Sequence, residues 1–145
     1  MDALTIARVD ERDSSWENPR PRFRVYLHGS GADSTQGSTD TFDIIGADVL
    51  QTIEWAQRQA GDTLTYAVAL VYDDKAAEQS NPGHGRGLVW LVGIDGNDTP
   101  CNAMEEDRQR RMLLRRAAPV TIPTADRMPT HALDPDTDVS TNPDK

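Results

Sequence analysis

Two stretches constrain what this chain can fold into more than any other feature. Residues 64–72 (LTYAVALVY) and 88–94 (LVWLVGI) are apolar at successive positions, so neither face of either segment can be left to water. Both are too short for ordinary helices and are rich in β-branched and aromatic side chains, the pattern of strands covered on both sides. They predict the two middle strands of a sheet. Elsewhere the pattern is lighter. Phe23, Val25 and Leu27 alternate with Arg22, Arg24, Tyr26 and His28, as in a strand with one buried face. Phe42 and Ile44 share a face of a strand at 39–45, and residues 4–9 (LTIARV) alternate weakly, as a short edge strand does.

Between residues 47 and 60 the period becomes helical: Val49, Ile53, Ala56 and Ala60 fall on one side, Leu50 at its margin, and Gly61 is a natural stop. Residues 103–118 read as a second helix, with Asn102 as cap, acids in its first turns, Arg115 and Arg116 in its last, and Pro119 beyond. Residues 73–86 (DDKAAEQSNPGHGR) read as a long connection with a Pro-Gly turn. The expected fold is α+β: one two-layer domain over residues 1–123, with a mostly antiparallel or mixed sheet of about five strands and two helices on one face. Residues 124–145 are acidic, rich in Pro, Thr and Asp and poor in large apolar side chains. Such a composition cannot offset its ordering entropy, so the tail is expected to be disordered.

Charge is distributed unevenly. The net charge is −9, and residues 26–101 hold eleven acids against three bases. That centre repels nucleic acid and favours basic or mixed-charge protein partners, although acidity also serves solubility. The single cysteine, Cys101, allows no internal disulfide, and with His28, His84 and His131 it gives no zinc spacing. The first residues lack the basic and apolar regions of a signal peptide, and no run approaches the ~18 apolar residues of a membrane span, so a cytoplasmic protein with no membrane contact is expected.

Several segments invite a chemical reading. His28-Gly29-Ser30-Gly31 follows a strand as an oxyanion loop does, but no G-x-S-x-G elbow accompanies it. Gly83-His84-Gly85-Arg86-Gly87 is the most site-like: Gly83 and Gly85 let a backbone approach a ligand, Arg86 suits an anion and His84 offers an imidazole; the simpler reading is a structural loop. Residues 95–106 carry Asp95 and Glu106 at the ends of a calcium-loop spacing, but Pro100 stands where its glycine belongs, and Asp134, Asp136 and Asp138 in the tail lack the rest of that pattern. Arg108, Arg110, Arg111, Arg115 and Arg116 could contact phosphates, although three acids share their helix. Trp55 falls about 200° from Ile53 on the helical wheel, among Asp48, Gln51, Arg58 and Gln59. It is either an exposed interaction residue, with those four around it, or covered by another part of the chain such as the loop holding Trp16.

The runs Trp16-Glu17-Asn18-Pro19-Arg20-Pro21-Arg22-Phe23-Arg24-Val25-Tyr26-Leu27 and Gly87-Leu88-Val89-Trp90-Leu91-Val92-Gly93-Ile94-Asp95-Gly96-Asn97 resemble those of a family of short actinobacterial proteins. The resemblance spans residues 16–127 and implies a bacterial cytoplasmic protein; it carries no activity. The expected function is therefore a non-enzymatic interaction module, such as an inhibitor, immunity-type or accessory protein, that presents its acidic face and Trp55 to a basic protein partner. The alternative is a small anion- or phosphate-binding enzyme or ligand sensor built on Gly83, His84, Gly85 and Arg86. A homo-oligomer is a third option, and no metal or cofactor is expected.

Overall fold

The alternation in residues 22–29 becomes β1 (Arg22–Gly29), a strand with neighbours on both sides. A computed structural model describes residues 4–29, 38–95 and 100–129. After β1 come β2 (Ser38–Ile45), α1 (Val49–Ala60), β3 (Thr65–Asp73), the short α2 (Lys75–Ser80), β4 (Arg86–Val92) and α3 (Ala103–Leu114). The four strands form one antiparallel sheet in the order β2-β1-β3-β4, so the fold is α+β. No helix among the described residues is long and apolar enough to cross a membrane.

Register explains the core. Val25 lies opposite Phe42 and Val68, Phe23 opposite Ile44 and Leu70, and Leu27 opposite Tyr66, so one sheet face is apolar across three strands. Trp55, Ala56 and Ala60 of α1 pack on it. Each fully buried large side chain contributes on the order of 1.5–3 kcal/mol. A capping box starts α1: the Asp48 carboxylate accepts from the Gln51 amide at 2.8 Å, and the Gln51 side chain accepts from the Asp48 amide at 3.0 Å. Gly61, at φ +56°, ends it. α3 meets the sheet from the other side: buried Met112 lies at Gly93 and Ala67, and Ala67 points away from the face that carries Tyr66 and Val68.

The structure departs from expectation at five places. The two long helices do not share one face in a two-layer arrangement: α1 covers one face of the sheet and α3 lies against the other. Residues 88–92 form an edge strand rather than a central one; the two middle strands are β3, as expected, and β1. Residues 4–9 form no strand; Leu4, Ile6 and Val9 are 84%, 91% and 70% exposed. Within the expected 73–86 loop, Asp74 accepts a hydrogen bond from the Ala77 amide at 3.0 Å and caps α2. Finally, the tail expected from residue 124 is placed as far as 129, with a 3-10 turn at Thr124–Asp126 and Met128 against the core; residues 130–145, with Asp134, Asp136 and Asp138, lie outside the described residues.

Candidate functional site

The residues expected to surround an exposed Trp55 are brought together, but their partner is the chain itself. After α3 the backbone returns along α1, and α1 side chains read its main chain. Gln57 accepts from the Val120 amide at 2.8 Å and donates to the Val120 carbonyl at 2.8 Å. Gln51 donates to the Asp126 carbonyl at 2.8 Å, Arg58 to the Met128 carbonyl at 2.7 Å and the Trp55 indole N–H to the Pro129 carbonyl at 3.0 Å. Glu54, 4% exposed, holds Arg58 at 2.9 Å and Arg127 at 3.4 Å. Trp55 is 3% exposed and meets Phe42 edge-on at 5.5 Å. It is thus a core residue, and the cover is residues 119–129 rather than the loop of Trp16, which is 68% exposed. The wheel misplaced it because α1 is covered on two sides, by the sheet and by the returning chain. Asp48 is a cap, and Gln59 is half-buried.

The glycine loop is also internally satisfied. The Glu78 carboxylate accepts from the Gly83 amide at 2.8 Å and the Gly85 amide at 3.1 Å, filling the place an external anion would take. Arg86 pairs with Asp73 at 2.8 Å, and that hydrogen bond lowers the Asp73 pKa. A Cβ on Gly85 would lie 2.6 Å from the Glu78 Cβ and 2.8 Å from the Asp74 carbonyl, so this glycine serves close packing of the turn on α2. His84 is exposed. Asp73, Asp74 and Glu78 outnumber Lys75 and Arg86 around the cleft there, which disfavours an added anion.

Much of the acidic centre is consumed in the same way. Asp43 binds Arg22 and Arg24, whose hydrogen bonds, that of Arg24 first, hold its pKa below the usual carboxylate range. Asp48 and Asp74 cap helices, and Glu54, Asp73 and Glu78 have the partners given above. Among the described residues no group of three His, Cys, Asp or Glu side chains is placed to hold a metal. His28 is 1% exposed, with Nδ1 3.5 Å from the Thr39 hydroxyl; burial lowers its pKa, and the charge of Asp95 opposes this. Ser30 and Gly31, and residues 96–99 of the calcium-like segment, lie outside the described residues.

What remains unsatisfied gathers on β4. The strand pairs with β3 on one side, and no strand among the described residues pairs on the other. Between Arg86 and Asp95 it has no charge. Val89 and Leu91 are 50% and 43% exposed, while Leu88, Trp90 and Val92 are half-buried. On the face away from α1, Trp90 meets Tyr26 at 5.1 Å, and Tyr26 stacks on His28 at 6.0 Å. Fully buried Ala67 and Ala69 of β3 lie between β1 and β4 on this face, opposite Tyr26 and Trp90 in register. At the far end of β4, Trp90, Leu91, Val92 and Gly93 form one wall of a cleft of about 180 Å³; Arg108, Arg111 and Arg115 form the other. Arg111 pairs with Asp107 at 2.9 Å, and the side chains of Arg108 and Arg115 make no ion pair or hydrogen bond among the described residues. The edge was missed because its sequence is that of a central strand; the arginines were visible as a helical stripe, but not the wall facing them.

The chain matches no protein-family model, no curated protein and no solved structure.

Proposed function

We propose that this chain is a non-enzymatic interaction module that receives a strand from a protein partner on the open edge of β4. One observation carries the reading: β4 has the composition of a strand buried on both faces, yet it stands at the edge of the sheet. A row of amides and carbonyls with no strand partner among the described residues, beside five consecutive apolar residues, is a template for strand addition, and soluble proteins ordinarily blunt such edges with charge. The opposite edge is blunted: β2 carries Asp40 and Asp43 among threonines. Trp90 and Tyr26 offer the added strand an aromatic surface on one face and Val89 an aliphatic one on the other, with exposed Leu91 at the irregularity in the β3–β4 pairing. The partner in this reading is of mixed charge and contributes a mainly apolar extended segment.

The test places lysines on the edge. Val89→Lys with Leu91→Lys alters two exposed side chains, so the fold is retained. A protein captured stoichiometrically from native lysate by the wild type is lost with the double variant, and on re-addition it protects amides of residues 86–92 from hydrogen exchange. Equal capture by the lysine variant, or protection confined to another surface, would overturn the reading.

A second reading has its own support. The cleft between β4 and α3 gathers three arginines around a volume able to hold a phosphate or carboxylate group, in a chain that is otherwise acidic. Anion binding is thereby moved from the glycine loop to Arg108, Arg111 and Arg115. Inorganic phosphate then shifts the indole resonance of Trp90 saturably, and Arg108→Gln with Arg115→Gln abolishes the shift; a shift unchanged in that variant refutes the site.

A further inference from the structure

We infer that the strand received by β4 is residues 4–9 of a second copy of this chain, so that two protomers exchange these segments and each completes a five-stranded sheet. The inference rests on the strand-receiving reading of β4 and names its partner.

Three features point to it. Residues 4–9 have the alternation of a strand, and Leu4, Ile6 and Val9 are the most exposed run of aliphatic side chains described; none of the six makes a hydrogen bond or ion pair among the described residues. Strand-forming sequence without a sheet stands beside a sheet edge without a strand, and the two are matched in length, six residues against the seven of β4. The match extends to composition. In a strand beside β4, Leu4 and Ile6 lie on one face and Ala7 is flanked by Thr5 and Val9 on the other, so both faces bring apolar side chains to an acceptor that is apolar on both.

Charge selects the direction. Antiparallel addition, the arrangement of every pair in this sheet, brings Arg8 to the Arg86 end of β4, where Asp73, Asp74 and Glu78 outnumber Lys75 and Arg86. Parallel addition would set Arg8 beside Arg108, Arg111 and Arg115. Within one copy residues 4–9 lie off the sheet, exposed and without strand pairing, although the chain enters β1 at Arg22, on the end of the sheet where β3 leaves and β4 enters; the strand is therefore assigned to a neighbouring copy. Residues 10–21 span about 40 Å when extended, enough to carry the segment across to a neighbour. Reciprocal exchange gives a closed two-fold dimer and uses up both edges.

The experiment compares three proteins by sedimentation over a concentration series: wild type, the donor variant Ile6→Pro and the acceptor variant Val89→Lys/Leu91→Lys. Ile6 is exposed and unpaired, so proline there leaves the protomer folded and removes only the strand. The expected result is a wild-type dimer, monomers for each variant alone, and a one-to-one complex when the two variants are mixed, because one supplies the donor and the other the acceptor. A wild type that stays monomeric overturns the inference and leaves β4 to a foreign strand, judged by the lysate capture. A dimer that survives Ile6→Pro but not the lysines overturns it in favour of direct pairing of two β4 edges, with the strand-receiving reading intact. A dimer that survives both sets of changes removes the inference and that reading together.

Discussion

Replacing Trp55 separates a core residue from an interface residue by magnitude alone. Its ring is 3% exposed, meets Phe42 edge-on at 5.5 Å, and donates its indole N–H to the Pro129 carbonyl at 3.0 Å. Truncating a buried tryptophan to alanine costs about 3–5 kcal/mol; the lost hydrogen bond, worth about 1 kcal/mol, leaves a carbonyl to find water. Trp55→Ala is therefore expected to destabilise the protein by about 4 kcal/mol, a large part of the roughly 5–15 kcal/mol by which domains are stable. Trp55→Phe keeps most of the apolar contact and removes only the donor, so its cost should be about 1–2 kcal/mol. Urea unfolding followed by far-ultraviolet circular dichroism gives both values. Hydrogen exchange gives a second signature: the amides of Arg127 and Met128 should lose protection in Trp55→Phe while those of β1 do not. A cost below about 1 kcal/mol for Trp55→Ala would refute the reasoning, since a tryptophan of that value is on the surface and the returning segment is not docked on it.

Other outcomes follow from the same contacts. Gly85→Ala forces a Cβ against Glu78 and the Asp74 carbonyl and should cost about 1–3 kcal/mol in thermal or urea unfolding, with the loss greatest in protection of the β3–β4 connection. His28 has a pKa below its ordinary 6.5 in the folded state, so its contribution is complete above that value and declines as pH falls toward the folded pKa; urea midpoints should drop between about pH 7 and about pH 5, and histidine resonances should show the ring neutral at the upper end. Asp43 is likewise depressed, below 3.8, so the stability it supplies is present above that value and lost as pH falls through the folded pKa; Asp43→Asn should cost about 0.5–1 kcal/mol near neutrality, less in high salt, and nothing at strongly acid pH.

The parts of the fold that depend on local pattern were legible. Alternation in residues 22–28 placed β1 and its inward face, and the Asn102 cap with Glu105 and Glu106 placed the start of α3. What failed was the inference from local pattern to neighbourhood. Residues 88–92 look like a central strand because composition reports how a strand's faces are covered, not how many strands stand beside it. The helical wheel left open whether Trp55 is exposed or covered because it assumes one covered side, whereas α1 has two. The covering segment was hard to foresee because it is held mainly through its backbone carbonyls, which Gln51, Trp55 and Arg58 can bind whatever the side chains of residues 126–129 are.

The candidate sites failed for a related reason that bears on function. Charge counts treat every carboxylate as available to a partner, but a carboxylate that caps a helix or fills a glycine turn has spent its lone pairs on its own backbone. Glu78 is the clearest instance: the loop that looked ready for an anion already binds one, supplied by the fourth residue of α2. Subtracting such internally committed groups leaves a surface whose unmet demands are mostly apolar and main-chain: the outer edge of β4, Trp90 beside it, and the exposed aliphatic residues 4–9. Unpaired backbone in the open can be satisfied by water, but exposed Val89, Leu91, Leu4 and Ile6 cannot. An added strand satisfies both at once, which is why the edge of the sheet, and not its acidic residues, carries the functional reading.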